Sequence, residues 1–144
     1  MRKISYIVLA VIALAAASAC AGHNTGKQDS PVIDAAHNSR NSVDWDGTYR
    51  GVIPCADCEG IKVELTLFQN ETFAITYTYL GKEKDNIFSH KGTFKWNSAG
   101  SKITLDTDDF APHYQVGENI LIQLDMKGNN ITGSIADNYI LKKI

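Results

Sequence analysis

From Trp45 onward, apolar and polar residues alternate with a period of two. Ile61, Val63, Leu65 and Leu67 share one face, with Lys62, Glu64 and Thr66 opposite. After Gln69-Asn70-Glu71, Phe73, Ile75, Tyr77 and Tyr79 repeat the alternation with threonines between. Two such runs across a short polar break predict a β-hairpin. Phe88, His90, Gly92, Phe94 and Trp96 then fall on one face, against Lys91, Thr93 and Lys95. Asn97-Ser98-Ala99-Gly100 turns the chain into Ile103 and Leu105. Ile120, Ile122 and Leu124 alternate, and Lys127-Gly128-Asn129 turns. Ile131, Gly133 and Ile135 follow, and Asp137-Asn138 leads into Tyr139 and Leu141. No stretch after residue 44 keeps helical spacing. About eight short strands with short turns predict an all-β, antiparallel meander that curls into a small barrel. Such a barrel is filled by its own side chains or holds one small ligand, and the in-facing Phe, Tyr and Trp favour the filled form. Gly92 and Gly133, mid-strand in this pattern, mark a bend or a close backbone approach.

The pattern is different upstream. Residues 21–43, AGHNTGKQDSPVIDAAHNSRNSV, hold no aromatic residue and no apolar periodicity, so they read as a flexible tether. His23 and His37 in it read as solvated linker residues. Before them, Met1-Arg2-Lys3 gives a positive start, Ile4 to Ala17 is almost purely apolar, and Ser18 and Ala19 are small. That is the order of a secretory signal peptide, and about 14 apolar residues fall short of a membrane-spanning helix. Ala17-Ser18-Ala19-Cys20 resembles the lipobox of bacterial lipoproteins, which implies cleavage after residue 19 and lipid on Cys20. The alternative is ordinary cleavage near Ala19 with Cys20 a bystander. The expected organisation is a signal peptide over 1–19, a lipidated cysteine and tether over 20–43, and a barrel over 44–144.

Composition narrows the classes. The 144 residues carry 14 basic and 16 acidic side chains, a net charge of −2, so no polybasic surface for nucleic acid is expected. With 44% apolar residues the chain is globular in composition and holds one domain beyond its leader. Three cysteines in an exported chain leave one odd thiol. If Cys20 carries lipid, Cys55 and Cys58 remain as a pair.

That pair is the one constellation with chemistry. Pro54-Cys55-Ala56-Asp57-Cys58-Glu59-Gly60 lies between the first two strands, bracketed by Pro54 and Gly60 as a loop. A C-x-x-C pair forms a disulfide, shuttles electrons, or supplies two thiolates to a metal. An oxidising compartment favours the disulfide, and so small a ring would shape the loop more than hold the fold. A redox catalyst would place the pair at a helix N-terminus, whereas here a strand follows, and Asp57 and Glu59 would raise the thiol pKa. As thiolates, Cys55 and Cys58 suit Cu(I), a use exclusive of the disulfide. Tetrahedral zinc lacks a second ligand pair. His90, His113 and Met126 are the other candidate donors, though His90 reads better as a packed barrel residue and the other two as loop residues.

Trp45-x-Gly47-x-Tyr49-x-Gly51-x-x-Pro54-Cys55-Ala56-Asp57-Cys58-x-Gly60-Ile61, followed by Leu65 and Leu67, resembles the N-terminal domain of the NlpE-type copper-resistance lipoproteins. Gly92-Thr93-Phe94-x-Trp96, Tyr114-x-Val116, Asn119-x-Leu121 and the Gly133 to Leu141 stretch keep that family's order. The resemblance, over roughly residues 45 to 143, implies a small lipocalin-like barrel on an outer-membrane lipoprotein. It also implies roles in copper tolerance and in reporting envelope stress to a sensor kinase. The residues after the barrel offer no match to the second, OB-like domain of the longer members, so no role of that domain is expected from this stretch.

Asp106-Thr107-Asp108-Asp109 lacks the spacing and glycine of a calcium loop and reads as a solvated turn. Asn70-Glu71-Thr72 and Asn130-Ile131-Thr132, glycosylation acceptors by pattern, read as turn residues. No serine, histidine and acid converge on a catalytic motif, so a non-enzymatic protein with no required cofactor is expected. Ala21 after Cys20 lacks the aspartate of inner-membrane retention, which points to lipid anchoring in the outer membrane, facing the periplasm. The expected function is copper handling and envelope-stress sensing, with Cu(I) and an envelope sensor protein as partners. The alternatives are a lipocalin-like carrier of a small apolar ligand or lipid, or a docking platform for another envelope protein.

Overall fold

The computed structural model describes residues 38–82, 86–108 and 111–144. Eight antiparallel strands run in sequence order around a closed barrel. They are β1 (Gly47–Ile53), β2 (Gly60–Leu67), β3 (Thr72–Leu80), β4 (Ile87–Trp96), β5 (Lys102–Leu105), β6 (His113–Gly117), β7 (Ile120–Gln123) and β8 (Ile140–Lys143). The alternation read from sequence sets the faces of the first half. Ile61, Val63, Leu65, Leu67, Phe73, Ile75 and Tyr77 are all buried, with Ile103 and Leu105 continuing the core. Each fully buried side chain of this size contributes about 1.5–3 kcal/mol by leaving water.

β1 to β4 are long and pair along most of their length. β5 pairs with β4 only over Phe94–Trp96. The N-terminal half of β4, Ile87 to Gly92, therefore has β3 as its one strand neighbour among the described residues. Gly92 sits where β4 leaves one regime for the other. A Cβ there would lie 3.0 Å from Phe73 Cε1 and 3.3 Å from the Asp106 carbonyl, so the expected close approach is real. The barrel closes through β1 and β8, with Tyr49 opposite Lys143 and Arg50 opposite Lys142.

Four details differ from the sequence reading. The expected strand at Ile131–Ile135 is irregular chain, reached by a single bridge between Leu124 and Asn130 and followed by a 3-10 turn over Ala136–Tyr139. Gly133 is in that segment at φ +96°, with nothing within 4 Å of its Cβ position. Conformation, not crowding, is why glycine stands there. In β7 the inward phase is Leu121 and Gln123, both buried, rather than Ile120 and Ile122. Finally, residues 38–43, read as tether, are folded onto the barrel. Asn38 caps a one-turn helix, α1 (Ser39–Ser42), by accepting from the Asn41 amide. Ser39 Oγ donates to the Val116 carbonyl, and the Arg40 amide donates to that of Gly100. The Arg40 guanidinium pairs with Glu71 at 2.7 Å.

Trp45 closes this end, edge-on to Phe94 and Trp96 at 5.8 and 5.4 Å between ring centroids. The buried Tyr49 hydroxyl donates to the Trp45 carbonyl at 2.7 Å. Burial, reinforced by the nearby Asp44, Asp46 and Glu118 charges, pushes Tyr49 up to about 12. The folded state thus disfavours phenolate, and the contribution to stability is complete below about pH 10, the value of a free tyrosine, and lost as pH rises toward 12. Tyr49's contribution should be flat up to about pH 10 and fall above it. Tyr49→Phe should cost about 1 kcal/mol at neutral pH through the lost hydrogen bond and shrink the alkaline fall. Urea unfolding at pH 7 and at about pH 11 checks both, and an unchanged alkaline fall in the variant would remove Tyr49 from the account.

Candidate functional site

The C-x-x-C loop joins β1 to β2 at the barrel end opposite α1. Ile53 delivers it and Gly60 receives it. Gly60 has φ +149°, and a Cβ there would lie 2.7 Å from Val52 Cγ1, so glycine is required both by conformation and by space. Cys55 and Cys58 are joined in a disulfide with Cα atoms 5.4 Å apart. Both are half-buried and pack against the core from this end, together with Tyr79 and Tyr139.

Two tethers fix the loop to the β3–β4 hairpin. The Glu59 amide donates to the Leu80 carbonyl at 3.2 Å. Lys82 Nζ donates to Asp57 Oδ2 at 3.0 Å. The Lys82 ammonium, by hydrogen bond and by charge, holds the Asp57 carboxyl below the usual carboxylate range. The other Asp57 oxygen, Oδ1, is 3.5 Å from Cys55 Sγ, and the Gly60 carbonyl is 3.3 Å from Cys58 Sγ. Each sulfur thus has an acceptor beside it that a thiol, once formed, could use. The loop runs into a strand and not a helix, so the pair lacks the helix N-terminus at which redox-catalytic pairs sit.

Cys55, Asp57 and Cys58 are the one group of three His, Cys, Asp or Glu side chains close enough to hold a metal among the described residues, with ligand atoms within 4.8 Å of one another. His90 and His113 do not join it. His90 stacks on Phe73 at 5.8 Å. His113, expected in a loop, begins β6, with Nδ1 3.0 Å from Thr104 Oγ1. Met126 is exposed in a turn. Asp106 to Asp108 form an exposed turn in which the Asp106 amide donates to the Thr93 carbonyl. Cys20, His23, His37 and Asp109 lie outside the described residues. Sequence reasoning missed Lys82, whose role depends on a turn 25 residues away.

The sequence profile of the NlpE N-terminal domain matches residues 49–134, from β1 through the disulfide loop to the chain beyond β7. The chain belongs to the NlpE family. Over 97 residues it is 36% identical to lipoprotein NlpE of Escherichia coli K12, which takes in 66% of this chain and 39% of that protein. The chain thus spans well under half the length of this NlpE relative. A crystal structure of a Shewanella oneidensis lipoprotein is 50% identical, with a TM-score of 0.67, covering 74% of this chain and 94% of that one. A crystal structure of the Cpx pathway activator NlpE from Escherichia coli is 33% identical, with a TM-score of 0.51, covering 61% of this chain and 46% of that one. The NlpE fold and the eight-strand barrel therefore agree.

The Lys82 clamp has a defined pH sense. Because folding lowers the Asp57 pKa, the pair contributes above the ordinary carboxylate range and is lost as pH falls through it. Lys82→Ala should leave the barrel folded, raise the Asp57 titration midpoint and speed hydrogen exchange at the Glu59 amide. Carboxyl titration by NMR reads the first, and an unmoved midpoint would show that Lys82 does not hold the loop.

Proposed function

We propose that this NlpE-family chain is a lipid-anchored, non-enzymatic envelope protein whose Cys55–Cys58 loop responds to thiol redox state and to Cu(I). The observation that carries the reading is a pair of sulfurs three residues apart in sequence, closed as a disulfide on a half-exposed loop at one barrel end. The anchor is Cys20, outside the described residues, in an export signal that ends in a lipobox-like Ala17-Ser18-Ala19-Cys20. The placement proposed is the outer membrane, with the domain in the periplasm. The Escherichia coli relative is a Cpx pathway activator, which supports an envelope-stress role with a sensor protein as partner.

The donor set fits a soft monovalent ion. As a disulfide the sulfurs bind no metal. Two electrons and two protons from a dithiol reductant convert them to two thiols, and Cu(I) then displaces both protons to be held by Cys55 and Cys58. Asp57 is a hard oxygen donor already paired with Lys82, so its part is electrostatic. Two thiolates and Cu(I) carry a net negative charge, which the Lys82 ammonium offsets. What such a switch changes in the fold is local: the packing of Cys55 and Cys58 against the core and the Glu59 hydrogen bond to the Leu80 end of β3.

Acid quenching of cells, alkylation of free thiols and intact-mass measurement should show the pair shifting from oxidised to alkylatable under copper load. Cys55→Ser should lower copper tolerance or stress signalling while leaving the barrel folded. A ring this small stabilises by about 2 kcal/mol at most on chain entropy. A copper phenotype unchanged by the substitution in a folded protein would refute the thiol role.

A further inference from the structure

The disulfide of the C-x-x-C loop does not offer its two sulfurs equally. A thiol that reduces a disulfide attacks one sulfur and expels the other, so access decides which of them it meets. Both cysteines are half-buried, but their surroundings differ. Cys55 lines an open depression of about 350 Å³, together with Val52, Ile53, Pro54, Glu59 and Asn138. Val52 is 51% exposed, and Pro54, Glu59 and Asn138 are exposed as well. Cys58 is not among the residues that line this depression.

The contacts at sulfur agree. Cys55 Sγ has Asp57 Oδ1 beside it at 3.5 Å, on a side chain that is itself 76% exposed. Cys58 Sγ lies 3.3 Å from the carbonyl of Gly60, which is buried with Val52, Ile53 and Leu80 around its Cβ position. Both tethers of the loop also grip the residues that flank Cys58. Asp57 is held by Lys82, and the Glu59 amide by the Leu80 carbonyl. When the ring opens, Cys58 is therefore the sulfur that stays in place against the barrel.

We propose that Cys55 is the sulfur an incoming thiol attacks, and that Cys58 is the leaving and resolving thiol. The inference rests on the redox reading of this loop given above and adds which sulfur the reductant meets. The reductant's thiolate forms a new S–S bond to Cys55 Sγ. The Cys55–Cys58 bond breaks, and its electron pair goes to Cys58 Sγ, which takes a proton from water and can donate it to the Gly60 carbonyl. The reductant's second thiol, as thiolate, then attacks the reductant sulfur of the mixed disulfide. Cys55 leaves with the electron pair of that bond and is protonated in turn. Two electrons and two protons have passed to the loop, and the dithiol reductant departs as a disulfide.

The test uses the purified, oxidised chain and 2-mercaptoethanol, a neutral monothiol. Early in the reaction the sample is quenched with excess N-ethylmaleimide at low pH, and the peptide carrying both cysteines is sequenced by tandem mass spectrometry. The expected result is mercaptoethanol on Cys55 and maleimide on Cys58 roughly tenfold more often than the reverse. The preference should vanish in urea, where the two sulfurs are equally open. Asn138→Trp, which fills the depression, should slow the reduction and make the partition more even. If that variant misfolds, the partition in the unmodified chain still decides the matter. An even partition in the folded chain, mercaptoethanol mainly on Cys58, or a folded chain that resists thiol concentrations able to reduce it in urea would overturn the proposal. None of these readouts involves copper. A copper phenotype untouched by Cys55→Ser would remove the cellular role and leave the partition standing, and a contrary partition would do the reverse.

Discussion

The seam between β1 and β8 is the constraint on which the rest of the molecule depends. Eight strands in a row leave two unpaired edges, and only closure gives the backbone groups of β1 and β8 their last partners. Here closure spans two residue pairs, Tyr49 with Lys143 and Arg50 with Lys142, extended by the Ile144 amide donating to the Thr48 carbonyl. It works because Gly51 has no side chain. A Cβ there would lie 2.6 Å from Leu141 Cδ2 and 2.8 Å from the Ile140 carbonyl. The same strand, β1, then delivers the cysteine loop from its far end. Loop position and barrel closure therefore both depend on one close approach.

Unequal strand lengths do the rest. β1 to β4 are seven to ten residues long, while β5 to β8 are four or five. A wall of long strands facing a wall of short ones cannot be covered evenly, so the start of β4 stands without a β5 neighbour and Phe88 is left in solvent. The end carrying α1 is shut by Trp45, Phe94 and Trp96 packing edge to face, a geometry that suits aromatic quadrupoles. One end is closed by aromatic packing and the other carries the disulfide loop.

Sequence alone made most of this fold readable, because a period of two leaves little choice where one face is apolar and the other charged. β2, with Lys62 and Glu64 outward, and β3 are of that kind. The pattern misleads where both phases are similar. In Ile120-Leu121-Ile122-Gln123-Leu124 the polar residue looks like the outward one, and the structure turns it inward. Ile131-x-Gly133-x-Ile135 mimics a strand, yet Gly133 takes φ +96°, outside the region of a regular strand. Helix α1 was invisible because a four-residue helix has no periodicity, and its support from Val116 and Gly100 is remote in sequence. The cysteine pair was legible as a spacing. Its disulfide was one of three open readings, and the Lys82 clamp on Asp57 belongs to tertiary structure alone.

The misread glutamine is the more informative of these. Sequences that specify one fold agree at every level, and the departures concentrate where function demands them. A leucine at position 123 would satisfy pattern, packing and burial together. The glutamine instead stands inward opposite Tyr114, and its buried Oε1 has no hydrogen-bond partner among the described residues, an arrangement that costs about 1–3 kcal/mol and that neither pattern nor packing explains.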